Sequence, residues 1–148
     1  MIISVDLANL SEAAAVHAVS WQDSHRSFCS PDFVALHSPE HQAEYLRQKL
    51  SRGSRIWMLV ENGPVGIVSV TGSLIEDLYV LPEHRNHGCG ALLLQHALRQ
   101  CEGRPVLWIL ENNTGAARFY RRAGFTETGR RNNITEGLDE IEFTLENF

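Results

Sequence analysis

One stretch of the chain, DLYVLPEHRNHGCGALLLQHALRQC at residues 77–101, restricts the possible folds more than any other. A strand-like run from Asp77 to Pro82 leads into Arg85, Asn86, His87, Gly88, Cys89, Gly90 and Ala91, and a helical pattern follows at once. Glycines between a strand and a helix let backbone N–H groups come close to a ligand. The first turn of a helix adds unpaired N–H donors and a partial positive charge. The stretch therefore reads as strand, anion-binding turn and helix.

The surrounding elements are legible from periodicity and punctuation. Residues 2–6 form a weak first strand. A helix begins with Ser11 as N-cap and runs to about Trp21, and DSHRSFCSPDF, with Pro31, is a polar break. A second helix covers Pro39 to Leu50, with proline in its first turn. RIWMLVE, PVGIVSV and LIEDLYV are three strands of an antiparallel meander, separated by NGP and TGS turns. After the helix at 88–101, the apolar run PVLWIL predicts a strand buried on both faces. A helix at 114–123 ends at Gly124, and FTETGRR and DEIEFTL are the last two strands. The expected fold is mixed α/β: one domain over residues 1–148, with a mixed, mostly antiparallel sheet of six or seven strands and about four helices.

The totals narrow the partners. The 148 residues carry a formal net charge of −5, which argues against nucleic acid as a partner and suits a cationic substrate. No apolar run is long enough to span a bilayer, and the first residues lack the pattern of a secretory signal. Cys29, Cys89 and Cys101 are odd in number and form no C-x-x-C pair, as expected for reduced thiols in the cytoplasm. His84 and His87 flank the loop without a carboxylate or thiol pair at metal spacing, so no metal is expected.

Three phosphate-binding patterns compete for the loop. A P-loop requires G-x-x-x-x-G-K-[ST], which is absent. A dinucleotide fingerprint requires a third small residue where Leu93 stands, and a βαβ unit rather than a meander. The third pattern fits: Arg85 to Ala91 resembles the Q/R-x-x-G-x-G/A loop of the GNAT family of N-acetyltransferases. LWILENNTGAARFYRRAGF is similar to the family's next motif through Asn113, Ala116, Phe119, Tyr120, Gly124 and Phe125. The resemblance covers residues 55–148; over the first fifty it extends only to helical character.

That resemblance implies an acetyl-CoA-dependent N-acetyltransferase that moves the acetyl group directly to an amine. Arg85, Asn86, His87, Gly88, Cys89, Gly90 and Ala91 would hold the pyrophosphate, chiefly through backbone amides. Arg85 would touch phosphate or lie in solvent, and Cys89 would pack. Leu78, Tyr79 and Val80 would pair with the pantetheine arm where the sheet splays. Asn113 would bond that arm or cap its helix. Tyr120 would serve the departing thiolate, either with a lowered pKa or as a hydrogen-bond donor.

Glu76 and Asp77 sit in a strand otherwise made of Leu, Ile, Tyr and Val, where acidic residues are disfavoured. Alternation along a strand sends them to opposite faces, one into the acceptor cleft. IEDLYV looks like a strand of the spermidine/spermine acetyltransferase branch, which assigns the amine and the base role to Glu76, with Glu111 as a rival. The expected acceptor is a small primary amine. The alternatives are a peptide N-terminal acetyltransferase and a non-catalytic acyl-CoA sensor; a homodimer is compatible with all three. Trp21, His25, Phe28 and Phe33 would bound the acceptor.

Overall fold

The computed structural model describes residues 1–146. Its strands are β1 (Ile2–Ser4), β2 (Arg55–Val60), β3 (Pro64–Thr71), β4 (Leu74–Val80), β5 (Val106–Leu110), β6 (Thr126–Thr135) and β7 (Leu138–Thr144). Its helices are α1 (Leu10–His25), α2 (Pro31–Ala35), α3 (Pro39–Ser51), α4 (Cys89–Gln100) and α5 (Thr114–Arg122), and a 3-10 turn spans Pro82–His84. The strands form one sheet in the order β1-β2-β3-β4-β5-β7-β6. Every pairing is antiparallel except β4 with β5. The mixed, mostly antiparallel architecture is as expected.

Two apolar cores lie on the two faces. Val68, Val70, Ile75, Leu93, Leu94, Leu107, Phe125 and Phe143 pack between the sheet and the side that carries α4 and α5. Ile56, Met58 and Ile67 pack on the other side with Leu10, Ala13 and Ala14 of α1 and Leu46 of α3. Period-two alternation along β3 sends Ile67 and Ser69 toward α1 and α3, and Val68 and Val70 toward α4.

Four details correct the sequence reading. First, α1 starts at Leu10 after Asn9, and Ser11 lies inside the first turn. The Asn9 side chain ties the preceding turn, accepting from Asp6 N–H at 2.9 Å and donating to Ser4 O at 3.0 Å. The helix continues to His25, four residues past Trp21, and that extra turn carries the His25 ring into the cleft described below. Second, the polar break contains α2. Pro31 occupies its first turn, where a missing N–H does no harm, and Ser30 Oγ accepts from Phe33 N–H at 3.2 Å. The helices therefore number five among the described residues.

Third, β5 is not buried on both faces. Only Leu107 is buried; its neighbours are half-buried, because β4 and β5 pair at Leu74–Val106 alone and then diverge. Fourth, Glu76 and Asp77 do not point to opposite faces. Ile67 is opposite Tyr79 and Ser69 opposite Glu76, so Asp77 and Leu78 together face Val68. This is a β-bulge, with Asp77 at φ +57°. The extra residue resets the alternation. Glu76, Asp77 and Tyr79 now share the α1 and α3 face, while Ile75, Leu78 and Val80 share the α4 face.

Candidate active site

The divergence of β4 from β5 opens a cleft with two lobes. The larger lobe, about 880 Å³, lies over the β4–α4 junction. One wall is the free edge of β4 at Leu78, Tyr79 and Val80, which carries no ladder to β5 beyond Leu74. The floor is Asn86, Gly88, Gly90 and Ala91. Gly88 is at φ +82°, a conformation that favours glycine, and turns the chain into α4. The first helical bond runs from Leu92 N–H to Gly88 O at 3.1 Å, so the N–H groups of Cys89, Gly90 and Ala91 begin the helix without carbonyl partners. A Cβ on Gly90 would stand 3.4 Å from the Phe119 ring, and larger side chains would fill the lobe. Unpaired donors at a helix start, lined by small residues, form an anion cradle.

The loop side chains divide. His87 is exposed and Cys89 packs against the α4-side core; neither side chain lines the lobe. Arg85 lines it, and its half-buried guanidinium is engaged. Its guanidinium donates to Asp23, to Ser24 Oγ at 3.1 Å, to Ser20 O at 3.2 Å and to Val80 O at 3.1 Å. It fastens the loop to α1 and to the end of β4. The cations left to face an anion here are Arg118 and Arg122 of α5, which the sequence reading missed. They lie four residues apart, on one face of a helix whose start also lines the lobe.

Asn113 and Tyr120 belong to both lobes. Asn113 Oδ1 caps α5 by accepting from Ala116 N–H at 3.1 Å. Tyr120 is 7% exposed. Its hydroxyl has no partner among the described residues, yet it is not among the sealed polar atoms, so it opens to the cleft. Burial first, and then the charge of Asp77, push this phenol above its ordinary value. Of the two options left by the sequence, the structure favours a hydroxyl that stays protonated and donates.

The smaller lobe, about 230 Å³, lies between β4, β5 and the first helices. Trp21, His25 and Phe33 form its aromatic side, while Glu76 of β4 and Glu140 of β7 supply carboxylates. Phe28 lines the larger lobe instead. Glu111 lines neither lobe; it pairs with Arg131 at 2.8 Å. The aromatic side is a stack. The Trp21 ring lies between His37 at 3.5 Å and His25 at 4.0 Å, tilted by 10° and 5°. Burial lowers the His25 pKa to about 4, against the opposing hydrogen bond to Trp21 O, so this ring is neutral at ordinary pH.

Beneath Glu76 lies an ionic cluster that the sequence reading did not contain. Lys49 Nζ donates to Ser69 Oγ at 2.8 Å, Glu76 Oε1 at 2.8 Å and Asp77 Oδ2 at 2.7 Å. Asp77 also accepts from His17 Nε2 at 3.1 Å and Tyr45 Oη at 3.0 Å. Burial alone would raise the Asp77 carboxyl; the hydrogen bond and charge of His17, then those of Lys49, outweigh it and hold the group well below the usual carboxylate range. For Lys49, burial pulls down while Asp77 and Glu76 pull harder upward. Glu76 remains 40% exposed, with Oε2 unpartnered among the described residues. A signal for Lys49 was present: Gln42, Leu46 and Lys49 share the buried stripe of α3, and a lysine on such a stripe requires an anion beneath it.

Among the described residues no group of three His, Cys, Asp or Glu side chains could hold a metal, and no helix is long and apolar enough to cross a membrane.

Comparison with known proteins agrees with this geometry. The family described as "Acetyltransferase (GNAT) domain" matches residues 52–127, just over half of the chain. The Salmonella typhimurium protein "Peptidyl-lysine N-acetyltransferase YjaB" is 36% identical over 77 residues, 51% of this chain and 52% of that protein. The match thus spans about half the length of YjaB. "Probable N-acetyltransferase Rv2775" of Mycobacterium tuberculosis is 29% identical over 131 residues, 80% of this chain and 75% of the relative. In fold, the PaiA N-acetyltransferase of Thermoplasma acidophilum, solved with coenzyme A, superposes with a TM-score of 0.71 at 18% identity, over 97% of this chain and 96% of that one.

Proposed function

The chain belongs to the GNAT acetyltransferase domain family, and from that premise we propose that it transfers the acetyl group of acetyl-CoA directly to a primary alkyl amine. One observation carries the reading. A cradle for an anion and a carboxylate-lined aromatic pocket meet at Tyr120, whose hydroxyl has no partner among the described residues.

The larger lobe fits coenzyme A. The unpaired N–H groups of residues 89–91 suit its pyrophosphate, and the small surfaces of Gly88 and Gly90 let the phosphates reach the backbone. Arg118 and Arg122 add positive charge for the remaining phosphate, and the free edge of β4 suits the amide-bearing pantetheine arm as an added strand. The thioester supplies an activated acyl group.

The rest falls to the protein's own groups. Tyr120 donates a hydrogen bond where negative charge grows on the leaving sulfur. The acceptor arrives as a cation, since an alkylamine of pKa near ~10.4 is free base in fewer than about one molecule in a thousand at neutral pH. Glu76 and Glu140 attract that cation into the smaller lobe, and the aromatic rings face it without competing charge. Glu76 then takes the proton, through water, on the oxygen that Lys49 leaves free. Lys49 fixes Glu76 in direction.

A small amine, polyamines included, matches the size of the lobe. A second reading, the side chain of a peptidyl lysine, is favoured by the activity for which YjaB is named, and its butylamine stem presents the same group. The test is calorimetry with CoA, then release of free CoA from acetyl-CoA with butylamine, spermidine, a lysine-bearing peptide and a lysine-free peptide with a free N-terminus. Stoichiometric CoA binding with turnover of the alkylamines is expected. Binding without any turnover would instead support an acyl-CoA sensor, and turnover of the N-terminal peptide alone would replace the substrate class.

A further inference from the structure

We propose that His25 Nε2 accepts one N–H of the acceptor amine and thereby sets the direction of the nitrogen lone pair. The inference rests on the amine-acceptor reading above and extends it to selectivity between primary and secondary amines.

The ring is held on three sides. It stacks on Trp21 at 4.0 Å between centroids, with Phe28 at 5.2 Å and Tyr79 at 6.0 Å. His25 is 3% exposed. Its Nδ1 lies 2.8 Å from the carbonyl oxygen of Trp21. A carbonyl only accepts, so Nδ1 carries the proton and Nε2 carries the lone pair. Nε2 has no partner among the described residues. It is also not sealed, since the only atom there that is both sealed and unpartnered is His96 Nε2. His25 lines the smaller lobe, so the surface left to Nε2 faces the acceptor. A buried polar atom in a fixed orientation with a free lone pair is a binding group awaiting a donor.

The carboxylates around the lobe are largely engaged, which leaves the Tyr79 and Tyr120 hydroxyls as the other side-chain oxygens of its aromatic rings with no partner among the described residues. Asp77 is surrounded by Lys49, His17 and Tyr45. Glu76 gives one oxygen to Lys49, and Glu140 Oε1 accepts from Asn132 at 3.1 Å. A neutral primary amine has two N–H bonds and one lone pair. With one N–H on the water that leads to Glu76 Oε2 and the other on His25 Nε2, the stem and the lone pair take the remaining two directions. The lone pair can then face the Tyr120 end of the lobe, where the thioester lies in this reading. A secondary amine has only one N–H and cannot satisfy both acceptors.

The test compares the primary amine that turns over best with its N-methyl derivative, in the wild type and in His25→Phe. Phenylalanine keeps the stack on Trp21 and removes the acceptor. Losing one neutral hydrogen bond should lower kcat/KM for the primary amine about 10-fold and leave the N-methyl amine less affected, so the ratio between them shrinks several-fold. His25→Gln, which retains an acceptor oxygen, should hold the ratio nearer the wild-type value. CoA affinity, measured by calorimetry, should be unchanged in both. Equal losses on the two amines, with the ratio intact, overturn the inference and leave His25 a packing residue. Should His25→Phe lose CoA binding as well, the ratio is read on His25→Leu with the same two outcomes. A wild type that turns over no primary amine overturns the amine reading, and the inference with it.

Discussion

The two lobes of the cleft are built by opposite means. One wall and the floor of the larger one are backbone: a free strand edge, a left-handed glycine and the first amides of α4, from neighbouring positions between Leu78 and Ala91, with side chains of α1 and α5 closing the rest. The smaller one is made of side chains from α1, α2, α5 and strands β4 to β7, aligned by a single bulge at Asp77 and held from beneath by Lys49 of α3. A backbone site depends on local conformation and on the absence of bulk. A side-chain site depends on long-range packing and on charge balance. The two should therefore fail differently.

The sharpest break is expected at Gly90. Valine there would press its methyl groups toward the Phe119 ring, already 3.4 Å from a Cβ, and into the space above the amides. Gly90→Val should abolish CoA binding and the rise in melting temperature that CoA gives by mass action. The Lys49 cluster should be untouched, so urea unfolding without CoA should change by about 1 kcal/mol or less. CoA binding by the variant at wild-type affinity would refute the backbone cradle.

Tyr120 belongs to both lobes and should report on chemistry alone. Tyr120→Phe should keep CoA affinity and lower kcat by about 10²–10⁴-fold, the usual loss for one proton donor. Wild-type turnover would make it a packing residue.

Lys49 tests the other side of the contrast. Lys49→Met leaves Asp77 buried without its ammonium and frees Glu76 to turn toward solvent, and losing one partner of a buried pair typically costs about 3–5 kcal/mol. Urea titration should show that loss. The molecules that remain folded should bind CoA normally, because nothing in the cradle touches Lys49. Weakened CoA binding in the folded fraction would show that the lobes are coupled.

The pH dependence of stability should sharpen the contrast further. An unfolded histidine takes its proton near pH 6.5, whereas His25 in the fold takes it near 4. Between those values the unfolded chain binds the extra proton, so stability falls as pH drops through the window, by about 3 kcal/mol in total. His37, lowered by burial, adds in the same direction. Asp77 has the depressed pKa of a paired carboxylate. Its contribution is complete above about pH 4 and is lost only at lower pH. Chemical unfolding at pH 7, 5.5 and 4.5 should show the histidine slope, and His25→Gln should flatten it. An unchanged slope in that variant would assign the effect to other groups.

Much of the fold was legible because its signals are local. Turn residues marked the meander, Pro39 and Gly124 marked helix ends, and Gly88 and Gly90 marked the cradle before any packing was known. Tyr120 and Asn113 could be placed at the cleft because their motif fixes their spacing along one helix and its N-cap. Other readings failed where a local rule met a non-local demand. Pro31 and Ser30 looked like a break and are a helix start. PVLWIL looked doubly buried, but a cleft opens along it.

By itself, then, the sequence determined the order of the strands and of four of the five helices among the described residues, the glycine turn between β4 and α4 and the residue types at the cleft. Each of these depends on backbone conformations and propensities that neighbouring residues impose. Only the tertiary structure decided which side chains share the smaller lobe. One extra residue in β4 turned Glu76 and Asp77 to the same face, and one turn beyond the expected end of α1 delivered His25. Lys49 found its carboxylates 27 and 28 positions away. Side-chain direction in a strand reverses with every residue of register, so a single bulge, set by packing across the sheet, governs the whole charge pattern of the site.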